Sequence, residues 1–138
     1  MSALFEFLVM VFAALIPWDP TNHRARDRRL FDANKVACAI RALDGRVLNI
    51  GTEWSVGVCE IADGRLTFVP ELGIVGDRTI PVLSATAVAG EPEFGVPAAW
   101  ADSAHFVIST RDGDLFWAFP KHLSSEVLAL LFPERQRA

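Results

Sequence analysis

Few groups in this chain are spaced to do chemistry. The three histidines, His23, His105 and His122, lie far apart, and none belongs to an H-E-x-x-H or a Cys/His ligand pattern. Cys38 and Cys59 are too few for a disulfide framework or a four-ligand zinc site, and read as small buried strand residues. Gly73-Ile-Val-Gly76 lacks the glycine count and the lysine of a phosphate loop, and no G-x-S-x-G occurs. The carboxylates are scattered, and Asp112 and Asp114 belong to a turn. No catalytic residue, cofactor site or metal site is therefore expected.

Two other groups suit binding. Arg24, Arg26, Arg28 and Arg29 crowd into six residues just after an apolar run. Such a cluster can contact anionic lipid headgroups, at about 1 kcal/mol per residue near the surface, or can serve only as a topology signal. Phe94 and Trp100 sit in the longest irregular stretch, GEPEFGVPAAWADS. Large apolar groups in a loop either fold back on the domain or form a contact surface. Tryptophan is enriched at interaction hot spots, so Phe94 and Trp100 are the expected partner-binding residues.

The composition narrows the partners. With 51% apolar and 22% charged residues, the chain can bury a core and is not disordered. A net charge of −4 argues against a nucleic-acid protein. The acidic excess falls after residue 30, whereas the arginine cluster precedes it.

The elements that hold these residues are legible in order. Residues 2–18, SALFEFLVMVFAALIPW, are apolar apart from Ser2 and Glu6. As a helix they span roughly 25 Å, just short of a ~30 Å hydrocarbon core. No basic n-region precedes them and no convincing cleavage site follows, which argues against a secretory signal. Trp18 suits the interfacial belt, and the arginines that follow place the C-terminal part in the cytoplasm. One transmembrane anchor is thus expected at 1–19, with a buried core helix of a soluble protein as the alternative. Residues 20–34 read as a basic linker.

From Lys35 the apolar period becomes two, with Val36, Cys38, Ile40 and Ala42 on one side. Strands are expected at 35–42, 46–50, 54–61, 65–69 and 78–89, and on both sides of the Asp112-Gly113 pair. Pro81 marks an edge or bulge in the long one. Asp-Gly recurs at 44–45, 63–64 and 112–113 between strand-like runs, which indicates an antiparallel meander. Asp112-Gly113 suits a type I′ turn. Leu123, Val127, Leu130 and Leu131 then fall at helical spacing, with Ser124 or Ser125 as the expected N-cap, and Pro133 ends the helix. Trp117, Phe119, Phe106, Ile108, Leu66 and Phe68 are the expected core, packed from the helix by Val127 and Leu131. Residues 134–138 are a polar tail.

Seven short strands followed by one helix that can plug an open end define a mainly β class. On the ending VISTRDGDLFWAFPKHLSSEVLALL and the three Asp-Gly turns, residues 35–133 resemble the pleckstrin-homology-like superfold. That resemblance implies a seven-stranded antiparallel barrel or sandwich with a C-terminal capping helix. With the anchor added, the chain is similar to small uncharacterised actinobacterial membrane proteins with one span and a cytoplasmic domain of this kind. Inositol-phosphate binders of the superfold use basic residues around the first hairpin, where this chain has Lys35, Arg41 and Arg46, with Arg65 nearby. Three basic residues on an acidic domain read more simply as a solvated sheet face. The expected function is a single-pass, membrane-tethered binding or scaffold module that contacts a protein partner or the membrane surface. The alternative is a small-ligand or enzymatic barrel with a pocket under the C-terminal helix.

Overall fold

A computed structural model describes residues 20–71, 76–90, 92, 94–96 and 103–136, with backbone only at 20–23, 135 and 136. The expected transmembrane run, residues 2–18, lies outside the described residues. Among those described, no helix is long and apolar enough to cross a membrane.

The chain begins with helix α1 (Pro20–Asp32). Seven strands follow: β1 (Lys35–Ala42), β2 (Ser55–Ala62), β3 (Arg65–Pro70), β4 (Arg78–Pro81), β5 (Ser84–Ala87), β6 (Ser103–Thr110) and β7 (Gly113–Pro120). A 3-10 turn (Lys121–Leu123) leads into α2 (Ser124–Leu131), and a short α3 (Pro133–Gln136) follows. All described strand pairs are antiparallel, in the order β4-β3-β2-β1-β7-β6-β5. The sheet curls into a half-barrel. Its two edge strands are consecutive in the chain, and the link between them ties the edges together. Val82 N–H donates to Gly64 O at 2.8 Å, and Leu83 N–H to Ser109 O at 2.9 Å.

The period-two pattern sets the core. Val36, Cys38, Ile40 and Ala42 point inward from β1, and Leu115, Trp117 and Phe119 from β7. Leu66, Phe68, Phe106 and Ile108 complete the expected set, and all are buried. Phe106 stacks on Phe119 at 5.4 Å, and Trp117 lies 4.4 Å from Phe119. Leu123, Val127 and Leu131 close the open end and are essentially unexposed. The Leu131 carbonyl accepts from Gly64 N–H at 2.8 Å, which joins the end of α2 to the β2–β3 turn. Helix α2 stops before Pro133, as expected, with Phe132 at φ −130.

Cys38 and Cys59 are buried as expected, with their sulfurs 3.2 Å apart inside the barrel. Burial first, and the neighbouring Cys38 thiol second, push the Cys59 thiol well above its usual range. It stays a neutral, unreactive thiol.

Five local expectations need correction. The basic stretch read as a linker is the helix α1. Arginine, alanine and leucine are good helix formers, and Pro20 suits the first helical position. Residues 46–50 form a tight turn instead of a strand. Val47 and Ile50 exchange backbone hydrogen bonds at 3.0 and 2.8 Å around Leu48 and Asn49, whose φ values are 52° and 65°. The reversal thus falls at a non-glycine pair, which composition does not announce. The long strand at 78–89 is two strands, broken after Pro81, which has no N–H to continue a ladder. At the last hairpin the central residues are Arg111 and Asp112, not Asp112 and Gly113, because Thr110 pairs with Gly113. The Thr110 hydroxyl accepts from Asp112 N–H at 3.1 Å and donates to Gly113 O at 2.8 Å, which holds that turn. Finally, α2 has no side-chain cap: Leu123 takes the N-cap position, and Ser124 Oγ donates back to Lys121 O at 2.9 Å. The preceding 3-10 turn already feeds the helix.

Candidate functional site

On the outer face of β1, β7 and β6, the segment after β5 folds back onto the sheet. Phe94 sits over Phe116 at 5.2 Å, edge to face, and 6.0 Å from Trp54. Trp54 meets Phe116 at 5.7 Å, also edge to face. The Arg41 guanidinium lies 3.7 Å from the Phe94 ring centre, within cation–π range. Its Nε donates to Ala42 O at 3.1 Å, which fixes the side chain along β1. Phe116 is 2% exposed, whereas Phe94 still shows 41% of its surface.

Hydrogen bonds clamp the segment at three points. Trp54 Nε1–H donates to Gly95 O at 3.1 Å. Val88 N–H donates to His105 O at 2.9 Å. His105 Nδ1 lies 3.1 Å from Gly90 O. A carbonyl can only accept, so Nδ1 carries the proton, and in the neutral ring Nε2 is left as an acceptor. Nε2 is buried without a hydrogen-bond partner among the described residues, in a ring packed 5.8 Å from Phe116. Phe94 has therefore folded back, yet nearly half of it faces solvent beside a cation. Trp100, the other expected contact residue, lies outside the described residues.

The four arginines differ in exposure and pairing. Position 27 of α1 turns inward, so Asp27 is 4% exposed, and Leu30 and Phe31 are half-buried alongside it. Arg26 Nη2 lies 3.4 Å from Asp27 Oδ1, and His122 Nε2 lies 3.5 Å from Asp27 Oδ2. Arg28 Nη2 contacts Glu126 of α2 at 3.1 Å, and its guanidinium lies 5.5 Å from the Phe31 ring. Glu126 thereby raises the Arg28 pKa further. Arg24 and Arg29 are exposed and have no ion pair among the described residues. At 100° per residue, Arg28 and Arg29 fall on the outward half of α1, whereas Arg24 lies on its flank, about 60° from Asp27 and close to the direction of Phe31.

The basic residues of the first hairpin do not converge. Lys35 opens β1, whereas Arg41 lies near its far end, roughly 20 Å away at ~3.3 Å per residue. Arg41 is occupied with Phe94, and Arg65 sits at the β2–β3 turn. No group of three or more His, Cys, Asp or Glu side chains comes together among the described residues. Sequence reading missed Trp54, Phe116, His105 and Arg41 as members of one cluster. They come from distant positions, and the Trp54–Gly95 bond alone spans 41 residues.

A search against protein-family descriptions finds no match, and neither does one against curated proteins.

Proposed function

We propose that this chain is a membrane-tethered binding or scaffold module with a pleckstrin-homology-like barrel, and that Phe94 and its surroundings contact a protein partner. The strand order and the helix over the open end support the barrel class. The apolar run at 2–18, followed by arginines, supports the tether. The observation that carries the contact reading is the half-exposed Phe94, held on Trp54, Phe116 and Arg41. A pre-formed aromatic cluster loses little entropy on binding, which favours it as an anchor. The carrier or enzyme reading draws less support, because Leu123, Val127 and Leu131 fill the space under the helix and Trp117 and Phe119 fill the barrel.

Phe94→Ala tests this directly. The change removes a partly exposed ring with two aromatic neighbours and a cation, so stability should fall by about 1 kcal/mol. Crosslinking in native membranes should then lose a partner that the wild type retains. An unchanged set of crosslinked proteins, with the domain still folded, refutes Phe94 as the contact.

A further inference from the structure

The stretch read as a linker is a helix fastened to the domain, and this changes what its arginines can do. Helix α1 is tied to the cap at two points, Asp27 to His122 and Arg28 to Glu126. Phe31 packs against the core, and Asn34 O accepts from Ile61 N–H at 2.7 Å where the chain enters β1. The link from the apolar run to the barrel is therefore held to the domain along this helix.

The chain carries −4 overall, yet this end gathers Arg24, Arg26, Arg28, Arg29 and Lys121 against Asp27, Asp32 and Glu126. Asp27 is buried, and Glu126 is paired with Arg28. Asp32 is exposed on the outward half of α1 without an ion pair among the described residues, and Glu60 is exposed across from Lys35 at the start of β1. Asp63 lies at the β2–β3 turn, which meets the other end of α2, and Glu134 lies in α3 beyond that end. The apolar run ends at Trp18, two residues before α1 starts. On the tethered reading, a tryptophan at the end of the apolar run suits the interfacial belt, and α1 follows it closely in the chain.

We propose that the outward face of α1, with Arg24 on its flank and Lys121 next to His122, is a docking surface for an anionic bilayer, and that it holds the barrel in one fixed posture. Arg24, Arg29 and Lys121 meet the headgroups. Arg26 is withdrawn to Asp27, and Arg28 is shared with Glu126. The capped end of the barrel then faces the bilayer, and the β6–β7 turn points away, because β1 runs from α1 towards that turn. This inference rests on the tethered reading above and specifies the lipid it meets.

The test uses the full chain in lipid nanodiscs, with a fluorescent donor on Ser125→Cys or, separately, on Asp112→Cys. Both positions are exposed, and the buried native cysteines resist labelling. The acceptor sits on the lipid headgroups. Energy transfer from position 125 should exceed that from 112 in discs containing phosphatidylglycerol. It should drop in discs of phosphatidylcholine alone. Arg24→Gln and Arg29→Gln should each weaken the docked state about fivefold, and raised salt should act in the same direction. Equal transfer in the two lipids, or greater transfer from position 112, overturns the proposal. Co-elution of chain and disc is scored separately: a chain that fails to stay with the disc sinks the tethered reading, and this inference with it.

Discussion

Leu131→Ala should lower the free energy of unfolding by about 2–5 kcal/mol, the range for emptying a fully buried leucine site. Leu131 is unexposed, and it sits in the last turn of an eight-residue helix. A helix that short has little stability of its own and depends on its apolar face. Shrinking Leu131 therefore loosens the carbonyl bond to Gly64 and strains the Arg28–Glu126 and Asp27–His122 contacts that hold α1. Denaturant titration of the detergent-solubilised chain, followed by tryptophan emission, measures the loss. A change below about 0.5 kcal/mol means that α2 does not cap the barrel.

Gly57→Ala should be about as damaging, at about 3 kcal/mol, by the opposite route of overpacking. Gly57 lies between Cys38 of β1 and Pro70 of β3. A methyl group there would collide with the backbone oxygen of Val69 and come within 2.9 Å of Pro70 Cα. Backbone cannot rotate away as a side chain can, so β3 must separate from β2. Val58–Val69 pairing and the 2.8 Å bond from Glu71 N–H to Val56 O would go with it. Gly51→Ala is the control, because nothing lies within 4 Å of its added methyl. It should be neutral or slightly stabilising, since it removes only unfolded-state freedom. If the two substitutions behaved alike, the β2–β3 contact would be looser than described.

How much was legible in the sequence follows from the range of the interactions. The β6–β7 hairpin and α2 could be read because adjacent residues set both periods. Their core residues, Phe106 to Leu131, packed where the pattern put them. Pro81 gave warning of a break, and the break became the corner that joins the two sheet edges. The turn at Leu48-Asn49 was harder to see: Asn49 tolerates positive φ, but Leu48 does not favour it and is held there between buried Val47 and Ile50. Helix α1 was hidden because its inward face includes an aspartate. Buried Asp27 finds Arg26 and His122, and the second of these partners is visible only in three dimensions. The same holds for the candidate site. Phe94 stood out by its place in a long loop, but Arg41, Trp54, His105 and Phe116 looked like ordinary strand-end or strand residues until the sheet set them side by side.

If the barrel works on a membrane, the topology of the chain will show it. A reporter active only in the cytoplasm, fused after Ala138, should be active, and the chain should resist carbonate extraction until detergent is added. Silence of that reporter, with activity of one that works only on the other side of the membrane, would overturn the orientation. Release of the folded chain into the supernatant without detergent would contradict the account itself.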